Sequence, residues 1–384
     1  MSKGDYGRGM GKEKRKQMMR ELADNFIEKV ESGDFGAWSK PWTNLGMDAM
    51  PHNVRGTSYR GINTIILWIS GFEYSCSQWG TFEQWKKLSA KHAISKGEFE
   101  MVDGRKGPYK KTTKYYGVRK GEAGTTIVFW KPSTYKTGKL DDKGEEEERV
   151  SFLLRVYTVF NRDQTDLPPL EKVEGSEMVA KDFSEFEKDF DDGLAHYMKA
   201  TKGGPILLKH GGDRAFYTPS KDRIAMPKRK QFESNLHYLA VKGHECIHST
   251  GHAVRLNRAN MNHFGSPEYA FEELIAEMGS AFLMGSFGLV GEMRHTEYIG
   301  HWAKMLNKDP EALMRAATKA QKAVDYIIDP YIEHSRVRGP DEKPCDCKVC
   351  EELKAIYDPE AFIFPLEVWE KYWIPEPEEG DEEE

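Results

Sequence analysis

Long apolar runs are absent from this sequence. No stretch of about 18 consecutive apolar residues occurs in its 384 positions, so no membrane-spanning helix is expected. The first twenty residues, Met1 to Arg20, are basic and polar and lack the apolar segment of a secretory signal. Cysteine is scarce. Five in this length exclude a disulfide framework and fit a reducing compartment, so a cytoplasmic location is expected. No internal repeat is found.

What is present is globular in composition, with 39% apolar, 12% aromatic and 31% charged residues. The length suits two domains, each with its own core. Charge divides along the chain. Residues 1–131 carry 23 Lys and Arg against 14 Asp and Glu, a net of +9; the remainder carries 33 against 48, a net of −15, which together give −6. A basic half joined to an acidic half predicts a polyanionic partner for the first half alone.

The chemistry concentrates in the second half, at Val241-Lys242-Gly243-His244-Glu245-Cys246-Ile247-His248. On a helix, residues four apart share a face, so His244 and His248 can aim imidazole nitrogens at one ion. Glu245, beside the first of them, is placed to accept a proton from an attacking water. Ser234 is a candidate N-cap and Gly251 a candidate C-cap for this helix. A catalytic zinc site wants three protein ligands and one open position. A third ligand six residues after His248 is excluded, because Val254 stands there, and His252 lies beyond the Gly251 break. The better source is a second helix opened by Ser266 and Pro267, where Glu273 and Glu277 share a face in otherwise apolar surroundings. Spacing alone does not choose between them. The string Glu273-Leu274-Ile275-Ala276-Glu277 resembles the Glu-x-x-Ala-acid segment of several zinc peptidase families. That gluzincin-like resemblance implies Glu273 as ligand and Glu277 as the carboxylate that braces a histidine. Cys246 is expected to be buried packing.

In the first half, basic residues interleave with aromatics, which suits a single nucleic-acid strand: cations follow phosphates and rings stack on bases. Candidates are Trp38, Trp42, Tyr59, Arg60, Lys110, Lys111, Lys114, Tyr115, Tyr116, Arg119 and Lys120. Thr125–Trp130 and Phe152–Phe160 are expected as the strands of a hairpin around an acidic loop, Asp141 to Glu148. Helices are expected over 18–32, 64–69, from Trp79, over 183–201 and over 312–328, and short strands at 215–218 and 223–227. Near the C-terminus, Cys345, Cys347 and Cys350 with His334 form a candidate structural zinc cluster of non-standard spacing.

These motifs together resemble the ArdC-type antirestriction proteins of plasmids and phages. The resemblance covers residues 18–328. Its first part rests on Leu22-Ala23-Asp24, Trp38-Ser39-Lys40-Pro41-Trp42, Tyr59-Arg60-Gly61-Ile62-Asn63, Arg119-Lys120-Gly121-Glu122, Ile127-Val128-Phe129-Trp130 and Val159-Phe160-Asn161-Arg162-Asp163-Gln164. Its second part rests on Asp213-Arg214-Ala215-Phe216-Tyr217, His244 to His252, Arg255-Leu256 and Tyr269 to Leu283. It implies an N-terminal single-stranded-DNA-binding domain, a C-terminal zincin-like metallopeptidase domain and protection of incoming DNA from host restriction. Residues 97–116 stand out as an insertion.

The expected architecture is therefore α+β with two domains. A disordered basic arm spans 1–17, the DNA-binding domain 18–165, a linker 166–174, the zincin-like domain 175–335, and an extension with the cysteine cluster and an acidic tail 336–384. The expected cofactor is Zn2+, held by His244, His248 and Glu273. Expected partners are single-stranded DNA and, as substrates, restriction-system or other DNA-bound proteins. Two rival functions stand beside this: a protease for proteins cross-linked to DNA, and a DNA-coating protein whose metal site is not catalytic.

Overall fold

A computed structural model describes residues 12–32, 50–104, 107–140, 146–169, 183–258, 266–289 and 299–336. The chain opens with helix α1, Lys12–Glu31. Met19, Ala23, Phe26 and Val30 recur at three- and four-residue intervals and are all buried, which marks one apolar stripe. Residues 12–17, expected as part of a disordered arm, belong to this helix. Arg15 pairs with Glu311 at 3.2 Å and so ties that first turn to the far half of the molecule.

Strand β1 (His52–Asn53) precedes helix α2 (Ile62–Ser70), strand β2 (Gln78–Thr81) and helix α3 (Phe82–Ser95). The stretch from Trp79 was expected to open a helix. Its first three residues are strand instead, and the helix starts at Phe82 behind a capping box made by Thr81 and Gln84. A separate hairpin follows, β3 (Phe99–Gly104) with β4 (Gly107–Thr112), and it occupies the predicted insertion. Strands β5 (Thr125–Leu140) and β6 (Glu146–Asn161) then form the expected hairpin, longer than predicted at its far end. Residues 146–148, expected in the acidic loop, already belong to β6. The sheet order is β1-β2-β6-β5. Asn63 of α2 pairs both ways with Val128 of the edge strand β5, donating to its carbonyl at 2.8 Å and accepting from its N–H at 2.9 Å.

The second half starts with helix α4 (Phe183–Ala200) and a small sheet of strands β7 (Leu207–His210), β8 (Phe216–Thr218) and β9 (Arg223–Met226). Its order is β7-β9-β8, with β7 parallel and β8 antiparallel to β9. Strand β7 was not expected, because its four residues are largely exposed and two are polar. Helices α5 (Asn235–Thr250), α6 (Pro267–Ser286), α7 (Ile299–Lys308) and α8 (Ala312–Arg336) complete the fold.

The two halves are fused through one apolar cluster. It runs from Met19 and Phe26 of α1 and Ile65 of α2 to Phe282 of α6, Trp302 of α7 and Val324 of α8. Trp68 lies 5.7 Å from Phe282, ring centre to ring centre. Arg60 forms an ion pair with Asp325, and the Gly61 N–H donates to Gln321 Oε1 at 3.1 Å. Gly61 adopts φ +56, a left-handed conformation that glycine takes at low cost, so the chain turns into α2 while aiming that N–H across the junction. Among the described residues no helix is long and apolar enough to cross a membrane.

Candidate metal centre

Helix α5 carries the motif into the interior. The Ser234 hydroxyl accepts from the His237 N–H at 3.0 Å, the N-cap that the sequence predicts, and Gly251 closes the helix. From Lys242 to Thr250 every residue is buried, because α4, α6 and the small sheet cover this helix. Helix α6, capped by Ser266 with Pro267 at its first position, crosses α5 closely. A Cβ added at Gly279 would come within 2.9 Å of the Ile247 side chain, so glycine is what permits the approach. Ser280 seals the crossing by donating to the Ala240 carbonyl at 2.8 Å.

This crossing brings His244, His248 and Glu273 together. The two Nε2 atoms lie 3.0 Å apart. Glu273 Oε2 is 3.4 Å from His244 Nε2, and Oε1 is 3.5 Å from His248 Nε2. Three candidate donor atoms lie within 4.8 Å of one another. A tetrahedral ion at about 2.0–2.1 Å from each ligand would set its ligand atoms roughly 3.3–3.4 Å apart; the two rings and the Glu273 carboxylate converge at that spacing, each ring meeting a different Glu273 oxygen. A carboxylate also stands near the far nitrogen of each ring. His244 Nδ1 faces Glu277 Oε1 at 3.3 Å, and His248 Nδ1 faces Glu272 Oε1 at 3.5 Å. Glu245 sits beside the pair on α5 and is buried as well.

The electrostatics favour positive charge at this point. Four buried carboxylates, Glu245, Glu272, Glu273 and Glu277, gather around two imidazoles and the Arg258 guanidinium. Burial pushes the His244 and His248 pKa values down, but contacts with the carboxylates outweigh it. For His244 these are Glu273 and Glu277, and its pKa stands well above the usual value. For His248 they are Glu272 and Glu273, and its pKa rises to about 9. Burial pushes Glu273 up, while hydrogen bonds from the two rings hold it far below the usual carboxylate range. Such a carboxylate-rich site calls for positive charge, and a metal would enter with release of protons.

Glu272 and Arg258 were not singled out from the sequence. Glu272 precedes the candidate ligand by one residue, so a same-face rule passes over it. It nevertheless comes within 3.5 Å of His248 Nδ1 where α6 crosses α5. The available signal was a third acid in an apolar helix. Arg258 holds Glu272 at 2.9 Å and donates to the Thr250 hydroxyl at 2.6 Å and the Ile247 carbonyl at 2.8 Å. Nearby, the buried Arg255 side chain links Asp222, the Tyr217 hydroxyl and the Ser249 carbonyl, which fixes the end of α5 to the sheet. His252 lies just past this end, where its Nδ1 accepts from the Val254 N–H. Cys246 is fully buried, and burial raises its thiol pKa to about 12, as packing rather than reactive cysteine requires.

The candidate DNA-contacting residues divide into groups. Tyr59 is packed against the shared core and Arg60 is spent on Asp325, so the junction rather than an open surface holds them. Arg119 pairs with Glu122 at 2.7 Å and donates to the Thr165 and Asp163 carbonyls, which pins the loop after β6. Tyr116 donates to Glu98 at 2.7 Å and meets the His92 ring edge-on. These four side chains have contacts within the protein, Arg119 while still exposed. Lys110, Lys111, Lys114, Tyr115 and Lys120 are exposed. Lys111 pairs with Glu100 at 3.0 Å and Lys110 lies over the Phe99 ring at 4.4 Å. Tyr109 and Met101, also exposed on the β3–β4 hairpin, were not among the candidates. Trp38, Trp42, Cys345, Cys347 and Cys350 lie outside the described residues, as does the side chain of His334 in α8.

Comparison with known proteins agrees with this arrangement. A model described as the N-terminal domain of anti-restriction factor ArdC matches residues 16–160, and one described as a zincin-like metallopeptidase matches residues 195–319. Protein y4eC of Sinorhizobium fredii is 31% identical over 323 residues, which is 80% of this chain and 90% of that protein. A DNA primase TraC of Escherichia coli is 34% identical over 343 residues, but this chain spans only 20% of its length; a second TraC is 35% identical, with 27% spanned. Crystal structures of the antirestriction protein ArdC from plasmid R388 were solved metal-free and Mn(II)-bound. Both share 31% sequence identity and a TM-score of 0.55 with this chain, covering 81% of it and 96% and 97% of theirs. The chain thus belongs to the ArdC antirestriction family, a two-domain α+β protein in which an ArdC-type N-terminal domain precedes a zincin-like metallopeptidase domain.

Proposed function

We propose that this protein binds single-stranded DNA through its first half and uses a divalent-metal centre in its second half to hydrolyse proteins that threaten that DNA. Protection of incoming mobile-element DNA from host restriction, in the recipient cytoplasm, follows from the two together. The observation that carries the enzymatic part is the convergence of His244, His248 and Glu273 with Glu245 alongside. A bound divalent cation supplies Lewis acidity toward a peptide carbonyl and toward water. The chain's own residues do the rest. His244, His248 and Glu273 hold the cation. Glu277 orients the His244 ring. Glu245 takes a proton from the attacking water and passes it to the departing amine. Burial around Glu245 excludes bulk water and strengthens these interactions.

Zinc suits the donor set of two imidazoles and one carboxylate. The Mn(II) in the R388 relative supports a divalent cation of this class and leaves manganese as the competing occupant. For DNA, support comes from the ArdC-type domain match, the +9 charge of residues 1–131 and the exposed lysines and tyrosines of the β3–β4 region. Two relatives that bear the name DNA primase fit a nucleic-acid partner. The test is incubation of the metal-loaded chain with restriction subunits and other DNA-bound proteins, with and without single-stranded DNA, followed by mass spectrometry. Site-specific fragments that vanish in Glu245→Gln support the reading. No cleavage, with restriction protection intact in cells carrying Glu245→Gln, leaves a DNA-coating protein instead. Cleavage of many unrelated DNA-bound proteins makes it a general protease for DNA-attached protein.

A further inference from the structure

Each histidine of the centre has a carboxylate behind it, but the two carboxylates are held differently. Glu277 stands behind His244 on the same helix as Glu273. Glu272, behind His248, is itself clamped by a guanidinium from outside both helices. Arg258 Nη2 and Nε reach its two oxygens at 2.9 and 3.3 Å. The same guanidinium holds the Ile247 carbonyl and the Thr250 hydroxyl, which flank His248 on α5. The Arg258 and Glu272 side chains are both nine-tenths or more buried.

We infer that Glu272 and Arg258 form a positioning pair that fixes the tautomer and ring plane of His248. Resting on the metal-centre reading, this adds two residues to it. Glu272 Oε1 stands 3.5 Å from His248 Nδ1, longer than a formed hydrogen bond; an Nδ1–H drawn to it when a cation fills the centre would leave the Nε2 lone pair directed at the point shared with His244 and Glu273. Arg258 makes this possible in two ways. It neutralises a fourth carboxylate in a site already rich in acid. It also sets the spacing between the last turn of α5 and the first half of α6, since one planar group bonds to both helices. Outer partners of this kind raise ligand basicity and restrict ring rotation.

The test uses the full chain and two probes, Zn(II) and Mn(II), in competition with a chelator. Glu272→Ala and Glu272→Met should each weaken binding of both metals by about 10–100-fold, while Glu272→Gln, which keeps an acceptor oxygen, should recover most of the loss. Arg258→Ala should fall in the same direction. The helical circular dichroism of each metal-free variant reports folding separately. A purely structural role would leave the His248 ring proton unaffected, so that proton is read by NMR in the zinc-loaded protein. A slowly exchanging His248 Nδ1–H in the wild type, lost in Glu272→Met while the His244 signal remains, supports the pair. Affinities within threefold of wild type in folded variants, or a fast-exchanging His248 Nδ1–H in the wild type, overturn it. Absence of any metal binding by the wild type would instead sink the metal-centre reading.

Discussion

The His244 ring is held between two glutamates one helical turn apart on α6: Nε2 lies 3.4 Å from Glu273 and Nδ1 lies 3.3 Å from Glu277. Only Glu273 also reaches His248, so the two acids are not equivalent. The protein should therefore bind one divalent metal at this centre. His244→Ala or His248→Ala should remove it, and Glu273→Ala should weaken it more than Glu277→Ala, whose loss should cost about 10–100-fold. Metal analysis of the purified variants decides this. Full occupancy in the His244→Ala, His248→Ala double variant with Cys345, Cys347 and Cys350 also replaced would refute the assignment.

Glu245 should matter for chemistry and not for assembly. Glu245→Gln keeps the shape of the side chain but cannot act as the base, so any hydrolysis should drop by about 100-fold or more. Metal content and DNA affinity should stay within twofold. A Glu245→Gln protein that cleaves at the wild-type rate would place the base elsewhere.

The convergence of His244 and His248 was legible because a single helix encodes both at fixed spacing, whereas Glu273 rather than Glu277 came only from the resemblance. Ser234, Gly251, Ser266 and Pro267 likewise mark their helix ends, since capping is a local hydrogen-bond requirement. Glu272 and Arg258 were not legible, because their meeting depends on how closely α6 crosses α5, which Gly279 allows only in three dimensions. The same limit applies in the first half. Arg60, Arg119 and Tyr116 carry the residue types of a nucleic-acid surface, yet contacts with Asp325, with the Asp163 and Thr165 carbonyls and with Glu98 engage their polar groups. Asn161 and Asp163 of the recognised motif are tied to the Cys76 carbonyl and to Ser75, so this motif holds the hairpin in place.

Acid should loosen the sheet-facing end of α5. Burial pushes the Asp222 pKa up, but hydrogen bonds from Arg255 and Tyr217 outweigh it, and the net shift is downward. A carboxyl with a depressed folded pKa contributes stability that is present above the unfolded value of about 3.9 and is lost as pH falls through the folded value. Between neutral pH and pH 5 this contribution should therefore hold constant, then decline at lower pH. Asp222→Asn should make the decline shallower. Urea midpoints at pH 7, 5 and 3 for both proteins check it; equal pH slopes would exclude Asp222 as the source.

The junction between the halves should depend on Arg60. Its side chain is one-tenth exposed and its partner Asp325 one-fifth. Removing one member leaves a poorly solvated charge, so Arg60→Ala should cost about 2–3 kcal/mol, below the range for a fully buried pair. The Arg60→Ala, Asp325→Ala double variant should lose less than the two single losses together. Because this arginine serves the junction, its removal should not change the salt dependence of DNA binding. An unchanged denaturation midpoint with a shallower salt slope would return Arg60 to the DNA surface.

The exposed β3–β4 region should supply DNA contacts instead. Lys110, Lys111 and Lys114 stand on it or just after it, with Tyr109 and Tyr115 exposed nearby. The ion pairs of Lys111 with Glu100 and of Lys114 with the half-buried Glu98 lie at the surface, and such pairs are weak enough to give way to a phosphate. Each lysine that neutralises a phosphate should contribute about −0.7 to the slope of log affinity against log salt on a single strand. The triple alanine variant of the three lysines should thus flatten the slope by about 2 if all three bind. Tyr115→Ala should weaken binding by about 1–3 kcal/mol with the salt slope unchanged, because stacking is not a charge contact. Duplex of equal length should bind less well, since its bases are not free to stack. The comparison belongs on the full chain, because α1 and α2 share their core with the metal domain. Fluorescence anisotropy across a salt series reads all of these quantities. A triple variant that keeps both the affinity and the slope of the wild type would move the DNA path off this hairpin.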